Sequence, residues 1–140
     1  MKLIIAGSRN FKIHHTFLHN VLNFYLAGRV CEISEVVSGG ASGIDFAAKR
    51  LCESTGPTVY DKHFFGRYKE FPAEWDKHGK AAGPIRNKEM AEYADALLLI
   101  WDGDSKGSAN MKKEMLKLNK PIYEVILKNI KLDNHEIISN

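Results

Sequence analysis

The chain has 140 residues, enough for one domain with a core of its own. Its 44% apolar and 26% charged residues are those of an ordinary globular protein, which argues against disorder, and no apolar run approaches membrane-spanning length. A net charge of +3 is too small to demand nucleic acid and suits a small anion equally well.

Leu3-Ile4-Ile5-Ala6 is a continuous apolar run ending at Gly7, the pattern of a strand buried on both faces. Phe17, Leu18, Val21, Leu22 and Tyr25 then recur at helical spacing, with Gly28 placed to stop the helix. Residues 33–37 read as a second strand running into Ser38, followed by an amphipathic helix carrying Ile44, Ala47, Ala48, Leu51 and Cys52. Thr58-Val59-Tyr60 reads as a brief third strand. Residues 61–83 show no clear period, and a loop that long in a compact domain tends to be functional. Its aromatic and basic residues, Phe65, Arg67, Phe71 and Trp75 among them, suit a lid or a stacking surface, or simply pin the loop to the body.

Pro84 suits the first position of a helix reaching about Tyr93. Residues 96–101 form the most apolar stretch and read as a central strand, Ser108 can cap a helix carrying Met111, Met115 and Leu118, and residues 122–127 give a fifth strand. The last dozen residues are left open between an extra edge strand and a loosely packed tail, so the expected division is a domain at 1–127 and an extension at 128–140. Strands alternating with helices throughout argue an α/β, three-layer, Rossmann-like domain with a mainly parallel five-stranded sheet in the order 3-2-1-4-5. Ligands in such sheets sit beyond the carboxyl ends of the strands where strand order reverses, here between the first and fourth. The turns at Gly7, Gly39 and Gly103 would then face one another.

Four short segments fit that crevice. Gly7-Ser8-Arg9-Asn10-Phe11 follows the first strand and Ser38-Gly39-Gly40-Ala41-Ser42-Gly43-Ile44-Asp45 the second. Small residues there are expected to present unhindered N–H donors to an anion at a helix start. Arg9 and Arg86 carry guanidinium forks matched to phosphate, and a cation in the first helical turn after Pro84 opposes the helix dipole unless a ligand anion answers it. Asp102-Gly103-Asp104-Ser105-Lys106-Gly107-Ser108 adds hydroxyls and glycines for phosphate. Its carboxylates Asp102 and Asp104 offer ligands to Mg²⁺, although a carboxylate pair alone does not make a metal site. Asp45 can stabilise its helix start, hold ribose hydroxyls or polarise a water, and Asp61 offers a second ribose acceptor. If the chain is an enzyme, Asp45 and Asp102 are the candidate catalytic carboxylates for N-glycosidic cleavage.

Cys31 and Cys52 have no metal-ligand spacing, the six histidines form no triad, and the first residues resemble no signal peptide. A cytoplasmic protein with no membrane partner and no assigned cofactor is expected.

Taken together, the four segments, including Ala81-Ala82-Gly83-Pro84-Ile85-Arg86-Asn87-Lys88-Glu89-Met90, resemble the SLOG superfamily, which contains the DprA and LOG proteins. The likeness is closest to its small stand-alone YspA/cpYpsA-related branch. The resemblance implies a Rossmann-like fold whose glycine-rich loops bind nucleotides or nucleotide-derived ligands, and self-association often accompanies it. The residues it assigns to the ligand are Gly7, Ser8, Arg9, Phe11, Ser38, Gly39, Gly40, Ala41, Ser42, Gly43, Asp45, Arg86, Asn87, Met90, Asp102, Gly103, Ser105, Gly107 and Ser108. LOG-type phosphoribohydrolases use a PGGxGTxxE motif with a catalytic Glu, and Met111 stands at that position here. DprA-like proteins bind single-stranded DNA, so the expected partner is a nucleotide-type small molecule, with a nucleic acid as the alternative.

Overall fold

The structure is a computed structural model that describes residues 1–54 and 67–128. Five parallel strands, β1 (Lys2–Gly7), β2 (Glu35–Ser38), β3 (Tyr68–Glu70), β4 (Ala96–Trp101) and β5 (Ile122–Ile126), lie in the order β3-β2-β1-β4-β5. The expected Rossmann-like arrangement is therefore present. Alternation along the strands divides the core into two layers. Leu3, Ile5, Leu98 and Ile100 face α1 (His15–Leu26) and α2 (Ile44–Ser54). Ile4, Ala6, Leu97 and Leu99 face α4 (Ala82–Tyr93) and α5 (Lys106–Lys117), meeting Met90, Met111 and Met115. Both faces of β1 and β4 are covered, which is why these strands read as unbroken apolar runs.

Strand order reverses between β1 and β4, where Gly7 pairs with Ile100. The two strand ends are stitched beyond that pair. Ser8 N–H donates to the Ile100 carbonyl at 3.2 Å, and Asp102 N–H donates to Ser8 Oγ at 3.2 Å. A side chain at Gly7 would run into the Ile100 carbonyl, so only glycine permits this approach.

The third strand differs from its expected place. The segment 58–60 lies outside the described residues, and β3 is formed by Tyr68–Glu70, inside the stretch read as a periodless loop. Val36, Val37 and Ser38 pair with these three residues. Beyond β3, the chain forms a helical turn α3 (Trp75–His78) and a 3-10 turn (Gly79–Ala81) leading directly into α4. Because Ala81 already has helical dihedrals, α4 begins at Ala82 and Pro84 is its third residue, not its first. Proline is tolerated there because the first-turn N–H groups have no intrahelical acceptor. Arg86 accordingly lies in the second turn of α4. Helix α5 begins at Lys106 with Ser105 at the cap position, so Ser108 is inside the helix and buried instead of capping it. The extension beyond residue 128 lies outside the described residues. No helix among the described residues is long and apolar enough to cross a membrane.

Candidate functional site

At the carboxyl edge of β1 and β4 two cavities adjoin, sharing Arg9, Ala41 and Arg86 in their walls. The smaller, about 120 Å³, is lined by Gly7, Asp45, Asn87 and Met90 and by Ser105, Gly107 and Ser108 at the start of α5. The larger, about 260 Å³, is lined by Gly39, Gly40 and Ser42 of the turn after β2 and by Glu70, Pro72, Ala73 and Trp75. Turns from β1 and β2, the body of α4 and the start of α5 thus meet at one rim. Gly103 does not: its Cα faces Lys128 and Ile126 on β5's side of the molecule. Ser8 and Ser38 lie buried behind the rim, and Phe11 packs toward α1 and α2.

The turn after β2 is built differently from the open donor cradle expected of it. Gly40 N–H donates to Ser38 Oγ at 3.2 Å, and Ala41 N–H donates to Asp45 Oδ2 at 3.2 Å. These donors are occupied from within, so the turn is a pre-set wall and not a free phosphate loop. Gly39 is wedged between the Arg86 guanidinium and Asp45 Oδ2, and Gly43 approaches the Ser8 and Arg9 carbonyls. Gly40 and Gly43 both have φ of 74°, which a side chain would strain.

Asp45 is buried, and burial pushes its carboxyl up to about 6, against the pull of the Ala41 N–H and of Arg86 and Arg9. Arg86 is buried as well. Its Nη1 donates to the Gly39 carbonyl at 2.8 Å and the Phe71 carbonyl at 3.2 Å, and its Nε donates to Asn87 Oδ1 at 3.0 Å. Nη2 takes no hydrogen bond among the described residues, and Arg86 borders both cavities. Burial lowers its pKa while Asp45 raises it, and the group stays cationic. Asn87 Nδ2 donates to the Gly107 carbonyl at 3.3 Å and to Asn110 Oδ1 at 2.9 Å, tying α4 to α5. Arg9 is exposed and lines both cavities, and its side chain makes no hydrogen bond or ion pair among the described residues.

Helix α5 starts without a side-chain cap. Its first N–H groups have no intrahelical acceptor, and with the helix dipole they form an anion-favouring end beside Arg9 and Arg86. Asp102 is not in the cavity walls. Its Oδ1 accepts from Asp104 N–H at 2.8 Å and Ser105 N–H at 2.9 Å, and these bonds hold its pKa below the usual carboxylate range. The side chain shapes the turn that delivers Ser105. Among the described residues no group of three or more His, Cys, Asp or Glu side chains is placed to hold a metal.

Glu70 and Trp75 line the larger cavity, and sequence reasoning gave the first no role and treated the second chiefly as an anchor. No period in the sequence flags Glu70, since Tyr68 and Phe71 stand three apart; its place at the end of an edge strand comes from pairing with β2.

DNA processing protein A from Helicobacter pylori, solved in work on its single-stranded DNA binding mode, is similar to this chain in structure. The TM-score is 0.54 at 20% sequence identity, over 99% of this chain and 69% of that one. The likeness shows the shared fold. No family model and no curated protein sequence matches the chain.

Proposed function

We propose that the protein binds a phosphorylated nucleoside across the two adjoining cavities. The phosphate would lie in the smaller one, at the uncapped start of α5 between Arg9 and Arg86 Nη2. The base would lie in the larger one against Trp75, which is 50% exposed. The observation that carries this reading is the join between the cavities: Arg9 and Arg86 stand in the walls of both, the start of α5 lies in one and Trp75 in the other. Together they reach the range of about 300–1,000 Å³ typical of small-ligand sites. Met111, a buried thioether, lines the smaller cavity at the position of the LOG-type catalytic Glu, which favours binding over hydrolysis of that type.

Single-stranded DNA is the second reading, favoured by the structural neighbour described as binding it. A groove of about 720 Å³ supports it too. This groove shares Arg9 and Ser42 with the crevice and carries Lys12, Phe11 and the exposed Phe46, so a longer strand has somewhere to continue.

The test is a titration of the protein with ribonucleoside monophosphates and with a twelve-residue oligothymidylate, followed by calorimetry and tryptophan fluorescence. On the first reading the mononucleotides bind and quench Trp75. Arg9→Ala then weakens them by about 1.5–3 kcal/mol, the range for a charge-assisted contact, or roughly 10–150-fold. On the second reading only the oligonucleotide binds, with affinity falling steeply as salt rises. Absence of both overturns the crevice as a nucleotide site.

A further inference from the structure

The larger cavity contains a feature that phosphate binding does not explain. Glu70, the last residue of β3, stands against Gly40 so closely that a Cβ on the glycine would come 2.5 Å from the Glu70 carboxyl carbon. Tyr68 O–H donates to Glu70 Oε1 at 2.8 Å and fixes the carboxylate from the strand side. Oε2 takes no hydrogen bond among the described residues, and Glu70 lines the same cavity as Trp75 and Arg9.

A fixed carboxylate here works against an anion in the adjoining cavity, because like charges repel. It is productive only if the ligand also brings donors. A carboxylate accepts from hydroxyls and cannot donate when ionised, and a vicinal diol offers two donors to its two oxygens. The part of a nucleotide lying between a base on Trp75 and a phosphate at the start of α5 is the sugar.

We propose that Glu70 reads the ribose: its carboxylate accepts from the 2′- and 3′-hydroxyls and selects ribonucleotides over 2′-deoxyribonucleotides. This rests on the nucleotide reading above and sharpens it. Tyr68 holds the acceptor in place, and Gly40 gives it room to reach the cavity. Loss of one hydroxyl leaves an ionised acceptor short of a donor, which discriminates more strongly than an added or missing apolar group would.

The experiment compares adenosine 5′-monophosphate with its 2′-deoxy counterpart by calorimetry on the full chain, with the urea midpoint of each variant as the check on folding. The parent protein is expected to prefer the ribonucleotide by about 10-fold or more, as for a hydrogen bond to a charged group. Glu70→Gln is expected to bring the ratio to within about twofold, by loss on the ribose side, and Tyr68→Phe to reduce it partly. Equal affinities in the parent protein overturn the assignment and leave the nucleotide reading standing. A preference that survives unchanged in Glu70→Gln overturns it as well. Binding of neither nucleotide overturns both.

Discussion

Asp45 shows how one buried side chain can serve the architecture of a turn and still leave a signature in solution. Its carboxyl sits near 3.8 when unfolded and near 6 when folded, because burial outweighs the N–H and guanidinium groups around it. Between those values the folded protein holds the extra proton. The contribution is fully present below about pH 4 and is lost as pH rises through 6, to a total on the order of 3 kcal/mol. Asp102 and Glu124, whose pKa values are lowered, act in the opposite sense as pH falls. The difference between Asp45→Asn and the parent isolates the effect. Urea midpoints should show the variant gaining on the parent between pH 4 and pH 7, and a constant difference would refute the assignment. Sequence alone placed Asp45 at the helix start and at the ligand, yet its hydrogen bond to Ala41 depends on a turn geometry that residue types do not encode.

Among the elements, α4 and α5 were foreseen as helices, with the end of α4 at Tyr93 as expected but with both starts misplaced. Pro84 and Ser108 carry strong boundary preferences, yet both stand at the third position of their helices, inside the first turn. The end of α4 has a device no local rule announces: Lys120 Nζ donates to the carbonyls of Ala91 at 2.7 Å, Glu92 at 3.2 Å and Ala94 at 2.7 Å. A cation at a helix C-terminus satisfies orphan carbonyls and answers the dipole. Lys120→Ala should therefore cost about 1.5–3 kcal/mol in urea unfolding, the range for hydrogen bonds to a charged group. An unchanged midpoint would show the contact to be incidental. Strand β3 was missed because three residues with only a half-buried Tyr68 give too short an alternation to detect, and its position is fixed by pairing with β2.

At the scale of the whole molecule, layers and strand order were readable because β1 and β4 are so apolar that both faces must be covered. Right-handed crossovers then leave few ways to arrange five strands. The carboxyl-edge crevice follows from that order. What it contains does not, since Trp75 and Glu70 reach it from a stretch without a helical or strand period. The internally tied turn at residues 39–41 has a consequence for deuterium labelling. With its amides already engaged by Ser38 and Asp45, the turn keeps its shape whether or not the crevice is filled, and Gly40 and Ala41 should exchange slowly from the start. Lys106 and Gly107, at the open beginning of α5, should exchange fast until a ligand shields them. Recognition would then freeze one wall of a crevice whose other wall was rigid beforehand, sparing much of the ordering entropy that flexible loops give up.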